Sequence, residues 1–288
     1  NVVGNQELAP TPTDYSKTVK YNTFDVTEYL KKDQNAIGIV LGNGRYFSMR
    51  PKVNEWREVR HFGFPRMILQ LEIELADGSK QIFVSDNSWK VTADGPIRSN
   101  NEFDGEEYDA GKEMPGWDQP GFDDNRWLSA ELVDPPGGRL EAQMNRNIKV
   151  METIRPVKIT EQKTGMYIMD MGQNMVGWLK MKVKGKKGDQ VKLRFAELLN
   201  HDRTIYTENL RKAKVTDLYA LKGEGVEEWN PVFTYHGFRF VEITGFPGNP
   251  TVDDFEGQVI YDEMEQTGYF ETSDSTLNQI YRNAYWGI

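Results

Sequence analysis

The chain has 288 residues, a net charge of −9, 38% apolar residues and no cysteine. This length allows one large or two ordinary domains of a globular protein. The acidic balance argues against nucleic acid as the main partner, because phosphate binding needs a local excess of Lys and Arg. Without cysteine there are no disulfides, no thiolate metal sites and no cysteine nucleophiles.

The sequence also lacks the signals of several other protein classes. No apolar run approaches the roughly 20 residues that span a bilayer, so we expect no membrane partner. The three histidines, His61, His201 and His236, lie far apart, which disfavours a histidine-based zinc site. Neither GxxxxGK[ST] nor GxGxxG occurs. No signal peptide opens the chain, and since we expect its start to be trimmed, the compartment stays open.

Strands are predicted in the first part of the chain. Residues 21–29 contain β-forming side chains, and residues 36–41 form the short apolar run of a buried sandwich strand. Residues 69–75 then alternate between apolar and polar side chains before Asp77 and Gly78, which are a strong hairpin signal. Residues 100–130 are acidic and rich in turns, and such a long loop in a compact domain is more often functional than not.

The second part of the chain is again strand-like. Residues 148–160 predict a strand that is interrupted at Pro156. Residues 170–197 predict a β-hairpin with one apolar and one basic face, because Leu179, Met181 and Val183 alternate with lysines. We interpret these lysines as a solvated sheet face rather than a polyanion site. Further strands are predicted at residues 217–222, 238–244 and 255–262, and no helical stripe of ten residues separates them, which favours sandwiches over βαβ units.

A helix is predicted at the C-terminal end of the sequence. Ser273 or Asp274 can act as its N-cap, and apolar residues follow at helical spacing at Leu277, Ile280, Tyr281 and Ala284. Two interpretations stay open. The helix either docks on the sandwich as a short terminal element, or it marks the boundary with a further domain.

Candidate site residues concentrate in the acidic loop. Glu106 and Glu107 are adjacent, so on a strand they point to opposite faces and cannot act as a catalytic pair, whereas Glu107 and Asp109 can share a face. Calcium is a second option, because carboxylate oxygens in a turn-rich loop suit a hard cation, with Asp104, Glu106 and Asp109 as candidates. The spacing is not that of an EF-hand, and a solvated loop remains the simplest interpretation.

Several short motifs then occur in a fixed order: NAIGIVLGNG at 35–44, GEEYDA at 105–110, DMGQNMVG at 170–177 and FTYHGFR at 233–239. This series resembles the N-terminal part of bacterial α-L-rhamnosidases, inverting glycoside hydrolases with an (α/α)6-barrel catalytic domain. The family carries its general acid and base as barrel glutamates in a motif resembling D-x-x-x-R-D-E-x-x-W, which does not occur here. The resemblance therefore implies no catalytic residue in this chain.

The resemblance also implies the architecture. The fold class is all-β, with two antiparallel β-sandwich domains and a short C-terminal helix. Residues 1–148 are predicted to be an incomplete jelly-roll-like domain, and residues 149–264 a concanavalin-like or supersandwich domain. Residues 265–288 are then the linker and the first helix of the missing barrel. The implied partners are this barrel and, through the parent enzyme, L-rhamnose-containing saccharides, and a periplasmic or secreted location is favoured.

Three functions stay open. The first is the non-catalytic portion of an α-L-rhamnosidase, supporting the barrel and in contact with carbohydrate. The second is a stand-alone carbohydrate-binding module, in which four residues hold a sugar or a calcium ion: Asn43, Glu107, Asp109 and Trp117. The third is a purely structural or interaction domain. No cofactor is expected apart from this calcium.

Overall fold

The computed structural model describes residues 2–47 and 63–287. His61 of the sequence analysis lies outside these ranges. Within them the chain forms sixteen β-strands, four short 3-10 helices and one α-helix. Among the residues that the structure describes, no helix is both long enough and apolar enough to span a membrane. The sixteen strands and the single short α-helix confirm the predicted all-β class.

Eight strands lie in the first part of the chain, before residue 148. They are β1 (Thr18–Tyr21), β2 (Gln70–Glu74), β3 (Lys80–Val84), β4 (Lys90–Val91), β5 (Ile97–Asn101), β6 (Gly105–Asp109), β7 (Leu128–Ser129) and β8 (Arg139–Ala142). Six of them form three two-stranded sheets, β1 with β8 in parallel, and β2 with β3 and β4 with β7 antiparallel. The hairpin that Asp77 and Gly78 predict is thus confirmed.

The remaining strands build one large curled sheet. They are β9 (Ile148–Ile154), β10 (Lys158–Lys163), β11 (Met166–Val183), β12 (Gln190–Ala196), β13 (Thr216–Ala220), β14 (Glu227–Trp229), β15 (His236–Thr244) and β16 (Phe255–Asp262). The order in the sheet is β5-β6-β13-β12-β15-β11-β16-β9, and β10 and β14 also pair with β11. The strand interrupted at Pro156 is confirmed as β9 and β10.

The long strand β11 organises this sheet. Its first residues pair with β10 and β15, and its last residues pair with β16 and β14. The register to β15 shifts between Asp170 and Met175, so that residues 171–174 form a bulge where the strand changes neighbours. Bulges bend strands, and this one lets a single strand contribute to both halves of the curled sheet.

The core lies inside this curl. Alternate residues of β11 and β12 point inward, as the sequence predicts, and Leu179, Met181 and Leu193 are at most 1% exposed. Lys182, Lys184 and Lys192 are exposed on the other face. Four methionines of β11 are also buried, at positions 169, 171, 175 and 181. Their unbranched side chains can fill the irregular space that a bent strand leaves.

Three sequence predictions about strands are wrong. Of residues 21–29 only Tyr21 lies in a strand, β1, and Thr27–Tyr29 form a 3-10 helix. Strands β11 and β12 are not partners in a hairpin, because β15 lies between them and pairs with both. The alternation identified which faces are buried but carries no information about which strand lies alongside. Residues 36–41 form no strand, and Ile37, Val40 and Leu41 are 44–54% exposed. A short apolar run predicts burial only where neighbouring strands cover it.

The acidic stretch 100–130 is more ordered than predicted. It contains β6, β7, the last two residues of β5 and a 3-10 helix at Ala110–Lys112. The antiparallel pair β5 and β6 precedes the predicted boundary at residue 148, yet β6 pairs in parallel with β13 of the large sheet. The division into domains stays a prediction, and the first part of the chain contributes the edge of that sheet.

The predicted helix is confirmed as α1 (Ser275–Trp286). The side chain of Asp274 caps its first turn by accepting hydrogen bonds from the backbone N–H groups of Thr276 and Leu277. None of its residues is buried, and Leu277 and Ile280 of the apolar stripe are 47% and 58% exposed. The sandwich therefore does not cover this stripe.

Gly177 provides a test of the close strand approach in this fold. It pairs with both His236 of β15 and Val259 of β16, and has a φ of +152°. A Cβ atom there would lie 1.9 Å from the carbonyl oxygen of Gln258. We expect Gly177→Ala to lower the free energy of unfolding by about 3 kcal/mol, from strain and overpacking together.

The matched control is Gly165→Ala. Gly165 also has a positive φ, +72°, but a Cβ atom there meets nothing within 4 Å. Only the backbone preference is then lost, at about 1 kcal/mol. Urea unfolding of both variants measures the difference. Equal losses would contradict the close approach of β11 to β16.

Candidate functional site

The four predicted carbohydrate-binding residues have different environments. Asn43 donates from its backbone N–H to Asn100 Oδ1 and from Nδ2 to the Asn100 carbonyl, at 2.8 Å each. Glu107 is exposed on β6. Asp109 accepts a hydrogen bond from the Gly111 backbone N–H and so caps the 3-10 helix. Two of the four thus have local structural partners.

Trp117 is the aromatic member of this set. Its ring stacks on Trp127 with centroids 6.5 Å apart, and Phe122 packs edge-on to Trp127 at 5.7 Å. Gly38 lies directly against it, since a Cβ atom at Gly38 would come within 2.4 Å of the indole. Trp117 therefore packs residues 113–127 onto the segment around Gly38, and it is partly exposed.

The calcium candidates are held by separate partners. Asp104 Oδ1 accepts from the Lys214 backbone N–H at 3.1 Å, and Glu106 is fully buried. Within residues 2–47 and 63–287, no group of three or more His, Asp or Glu side chains is arranged to hold a metal ion. Calcium binding stays a prediction.

The prediction for Glu106 and Glu107 is supported by their burial. The two side chains point to opposite faces of β6, with Glu106 0% exposed and Glu107 on the surface. Glu106 accepts hydrogen bonds from the backbone N–H groups of Val232 and Phe233, at 3.2 and 3.0 Å to Oε2. This carboxyl therefore binds the backbone before β15 to the strand β6.

Glu106 belongs to a buried polar cluster that we call the junction: Glu106, Asp217, Thr234 and His236. Asp217 Oδ1 accepts from the Glu106 backbone N–H and lies 3.0 Å from His236 Nε2. Thr234 Oγ1 donates to the Asn101 carbonyl at 3.0 Å. The His236 ring stacks on Phe195, with centroids 4.3 Å apart. The contacts of Glu106 and Thr234 tie β6 and β5 to β13 and to the chain that leads into β15, and those of His236 join β15 to β13 and β12.

The junction has few donors for its carboxyl oxygens. Asp217 Oδ2 is buried and has no hydrogen-bond partner among the residues that the structure describes. Burial raises the pKa of Glu106 to about 7, and the negative charge of Asp217 adds to this effect, although the two backbone N–H groups oppose it. A proton on Glu106 thus relieves both desolvation and like-charge repulsion.

Aromatic and polar contacts extend this attachment. The Tyr219 ring lies 5.1 Å from Trp229 and 5.8 Å from Tyr108 of β6. The Glu113 carboxylate accepts from Tyr108 Oη at 3.1 Å and from Lys222 Nζ at 2.7 Å. Since Tyr108 and Glu113 precede the predicted boundary and the others follow it, these contacts join the two parts of the chain.

A second polar network lies on the surface at the bulge of β11. Arg239 donates from Nε and from Nη2 to the two carboxylate oxygens of Asp170, at 2.8 and 3.0 Å. This pairing lowers the pKa of Asp170. Asp170 Oδ1 also accepts from the Gly172 backbone N–H at 2.7 Å. The two-point ion pair therefore fixes the start of the bulge to β15.

The rest of this network reaches helix α1. Glu197 accepts hydrogen bonds from Asn174 Nδ2 at 3.2 Å and from Asn209 Nδ2 at 3.3 Å. The Asn174 carbonyl accepts from Trp286 Nε1 at 2.7 Å. We call Asn174, Glu197 and Asn209 the platform. The sequence analysis did not identify the platform, although the motif DMGQNMVG, which contains Asp170 and Asn174, was the available signal.

The pH dependence of stability tests the junction. The pKa of Glu106 is about 7 in the folded chain, against 4.5 for an exposed carboxyl. The folded state therefore binds the proton on Glu106 more tightly than the unfolded state does. The contribution of this proton to the free energy of unfolding is fully present below pH 4.5 and is lost as the pH rises to about 7. Glu106→Gln keeps a hydrogen-bond acceptor but carries no charge. We therefore expect the free energy of unfolding of this variant to fall by roughly 3 kcal/mol less than that of wild type over this pH range.

Urea unfolding at pH 5 and pH 8 measures the effect. Wild type and Glu106→Gln should have similar free energies of unfolding at pH 5, and the variant should have the higher one at pH 8. Glu107→Gln is the control, because the adjacent Glu107 is exposed. The same pH dependence in wild type and Glu106→Gln would show that Glu106 is not buried at the junction.

Comparison with known proteins gives the family. The family model described as the alpha-L-rhamnosidase N-terminal domain matches residues 1–152. The model described as the bacterial alpha-L-rhamnosidase concanavalin-like domain matches residues 160–261. Together they account for nearly all of the strands.

Individual relatives agree. An α-L-rhamnosidase of Streptomyces avermitilis is 42% identical over 286 residues, which are 99% of this chain and 27% of the relative. The structure of the α-L-rhamnosidase from Dictyoglumus thermophilum superposes with a TM-score of 0.89 at 41% identity, over 99% of this chain and 31% of that one. The structure of a Streptomyces avermitilis α-L-rhamnosidase complexed with L-rhamnose superposes with a TM-score of 0.87 at 39% identity, over 99% of this chain and 27% of that one. The chain spans about three tenths of the length of these relatives, and it belongs to the bacterial α-L-rhamnosidase family, of which it comprises the N-terminal and concanavalin-like domains.

Proposed function

We propose that this chain is the non-catalytic β-sandwich portion of an α-L-rhamnosidase, which supports the catalytic portion of a parent enzyme that hydrolyses terminal α-L-rhamnosides. The observation that carries the proposal is that 99% of this chain matches only 27% of the Streptomyces avermitilis relative and 31% of the Dictyoglumus thermophilum structure. A substrate that contains rhamnose is supported by the relative whose structure is complexed with L-rhamnose.

The carboxyl groups of the acidic stretch support the non-catalytic assignment. An inverting glycosidase needs two carboxyl groups about 6.5–9.5 Å apart on either side of an accessible sugar. Glu106 has the raised pKa of a general acid, but its carboxyl is 0% exposed and binds two backbone N–H groups. A sugar oxygen cannot reach it. Glu107 points away from Glu106, so the two carboxyls do not flank one site.

Activity assays test this proposal. We expect the parent enzyme to release the aglycone from an aryl α-L-rhamnoside, and the 288-residue chain to show no activity above background. The Glu106→Gln substitution in the parent should leave activity unchanged at a temperature where both proteins are folded. Hydrolysis by the chain alone, or its loss on Glu106→Gln, would place catalysis in this portion and contradict the proposal.

Carbohydrate contact by this portion is the second candidate. It is supported by the partly exposed, stacked indoles of Trp117 and Trp127 in a loop that also borders the Asn43 segment through Gly38. Indole faces pack against the apolar faces of sugar rings, and neighbouring amides and carboxylates bind the hydroxyl groups. Glu107 and Asp109 are the carboxylates of the predicted set.

Calorimetric titration with L-rhamnose, with and without calcium, measures this contact. If the predicted set holds a sugar, the chain gives saturable heat that Trp117→Ala abolishes and that Trp89→Ala, which changes an indole outside the set, leaves in place. Dependence on calcium would support a metal-assisted site at these carboxylates. Titrations without saturable heat in either condition would remove carbohydrate binding from the function of this chain.

A further inference from the structure

Residues 198–206, which we call the arm, form a small hairpin after strand β12. Leu199 and Ile205 make an antiparallel bridge near its base. Asn200 and Thr204 are joined near its tip by a backbone hydrogen bond of 2.8 Å and by a side-chain hydrogen bond of 3.0 Å, from Asn200 Nδ2 to Thr204 Oγ1. The arm therefore keeps its shape through hydrogen bonds of its own.

The arm is anchored on the face of the large sheet that lies opposite the core. Ile205 is 6% exposed and belongs to an apolar cluster that is separate from the core inside the curl. The other members come from β11, β12, β15 and the arm itself: Ile168, Ala196, Phe240 and Leu199. Side chains of three strands thus hold the arm in position, so its exposed residues are ordered before a ligand arrives.

A cavity of about 340 Å³, open to solvent, lies beside the arm. Its apolar lining is formed by Leu198, Leu199 and the ring of Tyr206, and Leu198 is 58% exposed. Asn200 and His201, which are both exposed, contribute polar groups. Ligand pockets in proteins begin at about 300 Å³, so this cavity has room for one small ring.

Few polar groups of the cavity are available to a ligand. Asn200 Nδ2 donates to Thr204 Oγ1 and to the Ile205 carbonyl, at 3.0 and 3.2 Å, so both of its hydrogens are used. Asn200 Oδ1, the His201 ring and the Tyr206 hydroxyl remain, since none of them has a hydrogen-bond partner within residues 2–47 and 63–287. The cavity therefore satisfies a ligand with one hydroxyl group better than one with several.

This lining favours an aromatic ring over a sugar ring. A pyranose carries a hydroxyl group on most of its ring carbons, and each hydroxyl that loses water without gaining a partner is costly. Phenol has one hydroxyl group, and its ring can pack on the Tyr206 ring and on the apolar side chains of Leu198 and Leu199. The two leucines, the tyrosine ring and the few free polar groups thus match phenol better than L-rhamnose.

We propose that the cavity beside the arm binds a phenol, with its ring packed on Leu198 and Tyr206 and its hydroxyl group hydrogen-bonded to His201 or Asn200. This rests on the proposed function and deepens it, since the aglycone of an aryl α-L-rhamnoside is such a ring. The non-catalytic portion then has an affinity for the aromatic end of the substrate, or for the phenol that hydrolysis releases.

Proton NMR of the 288-residue chain during titration with phenol tests the site through the imidazole signals, and His201→Ala identifies the signal of His201. The ring protons of His201 should shift saturably, because an aromatic ring that binds beside them changes their magnetic environment. The ring protons of His236, which is 3% exposed at the junction, should not shift. L-rhamnose at the same concentrations should leave the His201 signal unchanged.

Substitutions of two exposed leucines provide a matched control. Leu198→Asp places a charge in the apolar lining and should raise the dissociation constant for phenol roughly tenfold or more. Leu140→Asp makes the same change on strand β8, at a residue that is 50% exposed, and should leave the constant unchanged. An unchanged His236 signal in both variants reports that the sheet remains folded.

A His201 signal that does not move with phenol, or that moves with L-rhamnose instead, would overturn the proposal. Equal phenol binding by Leu198→Asp and wild type would also overturn it. Phenol binding at the arm together with a parent that does not hydrolyse an aryl α-L-rhamnoside would refute the proposed function and leave this site standing. An active parent with an unmoved His201 signal would refute the site alone.

Discussion

The parallel pairing of β6 with β13 is the interaction on which the arrangement of the two parts of the chain depends. Leu218, Tyr219 and Ala220 pair with Glu107, Tyr108 and Asp109, and the buried carboxyl of Glu106 binds the backbone of Val232 and Phe233. A buried carboxyl without partners would be costly. Here the backbone N–H groups of Val232 and Phe233 donate to the carboxyl, which offsets part of that cost and attaches β6 to the chain before β15.

The bend of β11 determines what lies on the surface. The same bulge that allows β11 to pair with β15 and then with β16 exposes Gln173 and Asn174, and the ion pair of Asp170 with Arg239 fixes it. Helix α1 then attaches to the exposed carbonyl of Asn174. Core packing, the polar platform and the position of the helix are thus consequences of one irregularity in one strand.

Much of the fold could be predicted from local patterns. Alternation identified the buried faces of β11 and β12, the Asp77–Gly78 turn identified one hairpin, and the capping residue identified α1. Strand partners could not be predicted in this way. Strand β15 lies between β11 and β12, and β6 pairs with β13. Both arrangements bring together residues far apart in sequence, and the periodicity of a single strand does not identify its partners.

In the candidate sites, too, local patterns predicted some features, and contacts between distant residues decide the others. Opposite faces for Glu106 and Glu107 follow from strand geometry, whereas the burial of Glu106 follows from backbone N–H groups more than one hundred residues away in the chain. The platform was missed because Asn174, Glu197 and Asn209 are unremarkable singly, and only the bulge of β11 brings them together.

Residues on both sides of position 148 form one sheet, and we expect it to unfold cooperatively. Native-state hydrogen exchange of the backbone N–H groups in β6, followed at increasing denaturant and compared with those of β12, tests it most directly. We expect Gly105–Asp109 and Gln190–Ala196 to open together, in a single unfolding event with the same free energy. Opening of β6 at a much lower free energy than β12 would contradict it, because the pairing with β13 would then be a loose attachment between separate units.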